Sequence, residues 1–296
     1  MVKRSGVDVE FRLKREECLL ETPYRLLFLD LDGTLVGKTD ILSPRTLDAL
    51  HRAQALGCTP VICTARNRYL VEGIAAQIGG HGYAILANGA VLYDWATRRT
   101  LRKLTLTATM VSEAVRTAHA FETAPLCYGV DTEDGRLVFT DRRFPLWPVF
   151  AARNQERLVF CNDLESELPT PPISMGAYGL TEPICALAAA WRQRLGPDAA
   201  VFDACSTRHE CWTTYFNVAQ ADKALAAQMV AEWLGVPREQ TFAIGDHIND
   251  LALLRWAGLG VCMGDGQEEA QACADYVTGT LAEDGAAQAI ERFVLR

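Results

Sequence analysis

Hydrophobic and polar positions along the chain follow two different periods. Tyr24 to Leu29 (YRLLFL) is a short continuous apolar run, the pattern of a strand buried on both faces. Ser43 to Gly57 places Ser at an N-cap and Pro at the first helical position. It then spaces apolar residues three and four apart and closes on Gly, so it predicts a helix. Thr59 to Cys63 (TPVIC) predicts a second strand, Asn67 to Gly79 a second helix and Tyr83 to Ala87 a third strand. Strands alternating with helices predict a parallel sheet covered on both faces.

The pattern changes after about residue 105. Thr107 to Phe121 predicts a helix. LCYGV and RLVFT flank Asp134-Gly135, a hairpin signal. A Pro-rich stretch, Leu168 to Ser174, precedes a strand in MGAYGL. Pro183 to Leu195 predicts a second helix, and AAVFDAC and CWTTYFNV predict strands. Alternation then resumes, with helices over Asp222 to Gly235 and Ile248 to Gly258 and strands at Thr241 to Ile244 and Leu259 to Met263. The expected organisation is one α/β domain, residues 22–105 and 217–296, interrupted by an inserted α+β unit over 106–216. Residues 1–21, charged throughout, are expected to form an arm or an extra edge element.

Length agrees with this division: 296 residues suggest two domains at roughly 150 residues each. Apolar residues make up 49% and charged residues 22%, so disorder, collagen and coiled coil are excluded for the whole chain. A formal charge of −8 argues against a nucleic-acid partner but leaves room for a local basic pocket. No apolar run approaches the ~20 residues that cross a bilayer, and the N-terminus carries no apolar signal segment. A cytoplasmic protein with reduced thiols is expected. Ten cysteines without regular spacing carry no disulfide framework.

Four places carry candidate chemistry. Asp30-Leu31-Asp32-Gly33-Thr34 follows the first apolar strand, and ligands of open α/β sheets bind at the carboxyl ends of strands. Two carboxylates this close repel unless a cation or proton intervenes, and hard oxygen ligands favour Mg²⁺. A carboxylate can also attack phosphorus. Thr64 ends the second strand; its hydroxyl can hold a phosphoryl oxygen or cap the next helix, and Arg66 can add a charge-assisted contact. Lys223 opens a helix, against the helix dipole, where it is either a surface lysine or a point charge placed beside an anion. In Gly245-Asp246-His247-Ile248-Asn249-Asp250, the residues Asp246, Asn249 and Asp250 share one helical face. His247 is read as a bystander. Arg142 and Arg143 are read as solvated. The spacing of Cys205, His209 and Cys211 matches no common zinc pattern, so these three are read as buried thiols and a surface histidine.

These four pieces, in this order, resemble the haloacid dehalogenase superfamily of phosphohydrolases. The large insertion between Thr64 and Lys223 resembles the Cof-like sugar-phosphate phosphatases with a type-two cap. Asn88-Gly89-Ala90, VCMGDGQEEA and ADYVTGTLAEDGAAQAI resemble the same branch. The resemblance implies a Rossmann-like core with an inserted α+β cap. It implies that Asp30 is the nucleophile and a Mg²⁺ ligand. Asp32 would be general acid/base and a Mg²⁺ ligand through its backbone carbonyl. Thr64, Lys223 and Asn249 would hold the phosphoryl group, Asp246 would ligate Mg²⁺, and Asp250 would support the metal or Lys223. Ala65, Ala224, His247 and Asp265-Gly266 depart from the family's usual residues. The expected function is Mg²⁺-dependent hydrolysis of a small phosphomonoester, with a sugar-phosphate mutase or a non-catalytic sensor as alternatives. The expected partner is that small molecule, with neither nucleic acid nor membrane, and the chain would be a monomer or homodimer.

Overall fold

The computed structural model of the protein describes residues 22–129, 136–206 and 209–296. The arm 1–21 and the turn expected at Asp134-Gly135 lie outside the described residues. In chain order the first part holds β1 (Leu26–Leu29), α1 (Pro44–Ala55), β2 (Thr59–Cys63), α2 (Arg68–Gln77), β3 (Tyr83–Leu86), β4 (Val91–Asp94) and β5 (Arg99–Lys103). Next come α3 (Ala108–Ala120), β6 (Leu126–Tyr128), β7 (Val138–Asp141), α4 (Pro148–Asn154), β8 (Leu158–Cys161), α5 (Leu164–Glu167), β9 (Ser174–Gly179), α6 (Thr181–Leu195), β10 (Ala199–Ser206) and β11 (Cys211–Val218). The chain closes with α7 (Lys223–Trp233), β12 (Thr241–Gly245), α8 (Leu251–Trp256), β13 (Leu259–Cys262), α9 (Glu268–Cys273), β14 (Tyr276–Val277) and α10 (Gly285–Phe293).

Local chemistry sets the helix starts. The Ser43 side chain accepts from the Thr46 N–H and Pro44 sits at the first turn of α1. Asn67 caps α2 and Asp222 caps α7 in the same way. The cap of α2 is therefore Asn67, and Thr64 is left free of that duty.

Two sheets result. The first has order β14-β13-β12-β1-β2-β3-β4-β5. Its strands are parallel from β14 to β3, and β4 and β5 add as an antiparallel edge hairpin. The sheet is mostly parallel, as expected, and the edge hairpin is an addition to it: β5 is exposed and polar and carries no buried-strand signal. Apolar clusters cover both faces. One joins β1, α1, α2 and α10; the other packs the small residues of α7 on Phe28, Val61 and Ile85. Each fully buried Leu or Phe contributes about 1.5–3 kcal/mol.

The second sheet has order β10-β11-β9-β6-β7-β8, antiparallel except for the β7–β8 pair. Trp191 of α6 lies fully buried beneath it, and its indole N–H donates to the Ala114 carbonyl at 3.1 Å. Among its described residues the insertion carries four helices, α3 to α6, where two were expected. α4 and α5 have seven and four residues, too short to display a 3.6-residue period.

Candidate active site

β1 and its neighbours β2 and β12 end together at one edge of the first sheet, and the candidate residues lie just beyond those ends. Asp30 follows β1, Thr64 follows β2, and Asp246 follows β12. Lys223 is the first residue of α7, and its side chain is 1% exposed. Its ammonium donates to Asp30 Oδ1 at 2.6 Å and to Asp250 Oδ1 at 2.6 Å. Asp250 is fully buried. Its second oxygen accepts from the backbone N–H groups of Asp246 and His247, so this carboxylate fixes the loop that carries Asp246. Asp246 also accepts from the Thr34 hydroxyl at 3.0 Å. Gly33, at φ +87°, lets the first loop come this close: a Cβ there would lie 2.4 Å from the Asp246 carboxylate.

Electrostatics fit a cation at this place. Asp30, Asp246 and Asp250 each offer an oxygen, all within 4.8 Å of one another. Three carboxylates and one ammonium leave a net charge of −2 in a buried pocket. Burial, then the Asp250 charge, raises the Asp30 pKa well above the ordinary carboxylate range, against the opposing pull of Lys223. Burial and Asp250 push Asp246 up to about 6. Burial disfavours the Lys223 ammonium, but Asp250 and Asp30 more than offset it and its pKa is raised. A divalent cation held by Asp30 and Asp246 would relieve the repulsion among the carboxylates.

Thr64 is buried, and its hydroxyl oxygen accepts from the Arg66 backbone N–H at 3.1 Å. That leaves the hydroxyl proton available to a phosphoryl oxygen. Asp32 points away from the carboxylate cluster. Its two oxygens accept from Arg66 at 2.6 and 2.8 Å, and its side chain is 60% exposed. Arg66 also pairs with Asp40 at 2.9 Å. Its guanidinium was expected to face the phosphoryl group; instead the bidentate fork is filled by Asp32, whose planar carboxylate matches it. Asn249 lies beside the cluster and donates to Asn88 Oδ1 at 3.0 Å.

Between the two sheets lies a cavity of about 410 Å³. Its floor is Arg66, Arg68 and Tyr93 of the first sheet's side; its roof is Tyr128, Tyr178 and Tyr215 of the second. Arg68 stacks over the Tyr93 ring at 5.5 Å. Tyr215 was not foreseen, because nothing in CWTTYFNV marks one residue above its neighbours. Thr34 was quoted only as part of its motif. Arg142 and Arg143 are exposed, as expected. The trio Cys205, His209 and Cys211 is a correction. Cys205 is exposed and Cys211 half-buried, whereas His209 is buried against Phe150 and Tyr178. Tilted and edge-on ring contacts hold the histidine in, and the hairpin end leaves the thiols out. The nine described cysteines form no disulfide. Among the described residues no helix is long and apolar enough to cross a membrane.

Comparison with known proteins follows the same lines. The family model of haloacid dehalogenase-like hydrolases matches residues 27–290. The chain is 27% identical over 274 residues to a 5-amino-6-(5-phospho-D-ribitylamino)uracil phosphatase of Bacillus subtilis, covering 92% of this chain and 96% of that one. It is 25% identical over 283 residues to a pyridoxal phosphate phosphatase of Escherichia coli, covering 90% and 97%. Among solved structures, a haloacid dehalogenase-like hydrolase from Bacteroides thetaiotaomicron superposes with a TM-score of 0.77 at 29% identity, covering 91% of this chain and 99% of that one.

Proposed function

The chain belongs to the haloacid dehalogenase-like hydrolases, and from that membership we propose that it hydrolyses a small phosphomonoester through a phosphoryl group carried on Asp30. The observation that carries this reading is the buried set Asp30, Lys223, Asp250 and Asp246 at the strand ends.

Asp30 attacks phosphorus in line, and the bond to the ester oxygen breaks as the Asp30–phosphorus bond forms. Lys223 offsets charge on the phosphoryl oxygens, and Thr64 and Asn249 hold them with neutral donors. Asp32 gives its proton to the leaving alcohol. It then takes one from the water that attacks the aspartyl-phosphate, returning free Asp30 and inorganic phosphate. For this step Asp32 has to leave the Arg66 fork, which occupies both of its oxygens. Asp30, Asp246 and the Asp32 backbone carbonyl would hold Mg²⁺, which supplies Lewis-acid stabilisation of the phosphoryl oxygens when bound.

The leaving group would occupy the 410 Å³ cavity, which suits a single sugar or heterocyclic ring. Two relatives are named for phosphatase activity on pyridoxal phosphate and on a ribitylaminouracil phosphate, both small phosphorylated metabolites. That favours water over a sugar hydroxyl as phosphoryl acceptor, and so hydrolysis over the mutase alternative. We take residues 106–216 as the cap that closes over this cavity. The test is inorganic phosphate release from a panel of sugar and heterocyclic phosphomonoesters, with Mg²⁺ and with chelator. Mg²⁺-dependent release that disappears in Asp30→Asn is expected. Release that persists in a folded Asp30→Asn variant would refute the assignment.

A further inference from the structure

Asn88 occupies a turn that the chain holds in an unfavourable conformation. Ala87 and Asn88 are both left-handed, at φ 48° and 54°, and Gly89 follows at φ 101°. A Cβ on Gly89 would lie 2.4 Å from the Asp222 carbonyl oxygen, so the turn is pressed against the start of α7, next to Lys223. Consecutive non-glycine residues in this region persist only where surrounding structure holds them, and they mark functional sites. Here the turn places the 2% exposed Asn88 side chain between the two sheets.

Three side chains meet there. As drawn, Asn249 Nδ2 donates to Asn88 Oδ1 at 3.0 Å, and Asn88 Nδ2 donates to the Tyr215 hydroxyl at 3.5 Å. Tyr215 comes from β11 of the second sheet, while Asn88 and Asn249 belong to the first sheet's side. This orientation leaves Asn249 Oδ1 buried without a well-formed hydrogen bond; the neighbouring His247 ring interacts with the Asn249 side chain, which raises the His247 pKa against the larger effect of burial. It also leaves the Tyr215 proton without an acceptor.

Amide orientations are interchangeable at fixed heavy-atom positions. Turning both amides over gives the Tyr215 proton an acceptor. The Tyr215 O–H then donates to Asn88 Oδ1, and Asn88 Nδ2 donates to Asn249 Oδ1. The orphaned position becomes an Asn249 N–H, a donor suited to an anion. A bound phosphoryl group accepts only, so it selects this orientation.

We propose that Tyr215 is a positioning residue: through Asn88 it orients the Asn249 amide, so that the cap supplies the terminal donor of the grip on the phosphoryl group. The inference rests on the assignment of Asn249 as a phosphate contact. It makes phosphate affinity depend on a cap residue that does not itself touch phosphate.

The test uses the full-length protein with Mg²⁺ and orthovanadate as inhibitor, which carries no leaving group. Tyr215→Phe removes only the hydroxyl and strands Asn88 Oδ1, so it should raise the vanadate inhibition constant about tenfold in a protein that stays folded, with a melting temperature lower by only a few degrees. Asn88→Asp keeps an acceptor for Tyr215 but loses the donor to Asn249, and should do the same. Adding Tyr215→Phe to Asn249→Ala should change nothing further, a non-additivity that a merely structural role would not produce. The proposal falls if Tyr215→Phe alters KM for an ester but not vanadate inhibition, which would make Tyr215 a leaving-group contact. It falls equally if the two substitutions add. If Asn249→Ala itself leaves vanadate inhibition unchanged, the underlying phosphate assignment fails, and the proposal fails with it.

Discussion

Replacing Lys223 by methionine keeps a stem of similar volume and removes the ammonium that two buried carboxylates share. Asp30 and Asp250 each sit 2.6 Å from it, and the three side chains are 1%, 8% and 0% exposed. Breaking a buried ion pair by deleting one partner destabilises by about 3–5 kcal/mol, because the remaining charge is left desolvated. Two carboxylates are stranded here, so the upper part of that range is expected in chelator at pH 8. Asp250→Asn in the Lys223→Met background removes one of those charges and lets the new amide donate to Asp30. Its oxygen can still accept from the Asp246 and His247 N–H groups. The double variant should therefore recover about 2 kcal/mol relative to Lys223→Met, a coupling typical of residues in direct contact. Urea denaturation followed by tryptophan fluorescence reads all four corners of this cycle. Catalysis should not recover: loss of a charge aimed at the phosphoryl oxygens lowers kcat by about 10²–10³ in both variants. Additive stabilities, or a Lys223→Met protein as stable as wild type, would refute the buried triad as an electrostatic unit.

Four further outcomes follow from the structure. Mg²⁺ should raise the melting temperature of wild type, and this rise should vanish in Asp246→Asn while that variant stays folded in chelator. Thr64→Val, nearly isosteric, should lower stability by about 1 kcal/mol, because the Arg66 N–H loses its acceptor, and should lower kcat/KM by at least tenfold in a phosphate-release assay. Burial pushes the Cys58 thiol up to about 11 and the Cys262 thiol up to about 12. Among the described cysteines, a disulfide reagent at pH 8 should therefore modify the exposed Cys205 first and leave these two intact. The folded state also keeps protons that unfolded thiols release near pH 9, so the urea midpoint should fall as pH rises from 9 toward 11. Cys58→Val should flatten that slope.

The cluster of Asp30, Lys223, Asp246 and Asp250 was legible because each member lies within a few residues of a strand end. Asp30 and Asp246 follow apolar runs, and Lys223 opens a helix whose cap, Asp222, is itself in the sequence. What long-range folding decides was not legible. Arg66 reads as a phosphate ligand until α2 and the first loop pack, and then its fork closes on Asp32, 34 positions away. Tyr215 meets Asn88 across 127 positions, and only the approach of the second sheet to the first brings them together. The β4–β5 hairpin was missed because β5 is polar and exposed and carries no buried-strand signal, whereas the equally short β1 and β3 are wholly apolar. The direction of His209 and Cys205 depended on whether Phe150 and Tyr178 would form a stack, which the strand pattern does not encode.

The central claim is that Asp30 carries the phosphoryl group. Enzyme with Mg²⁺ and p-nitrophenyl phosphate should be quenched in acid within the first turnovers, digested and examined by mass spectrometry. The account predicts one phosphate on the peptide containing Asp30, lost on treatment with hydroxylamine and absent from Asp30→Asn. Turnover without phosphate on that peptide, or with phosphate on any other residue, would contradict it.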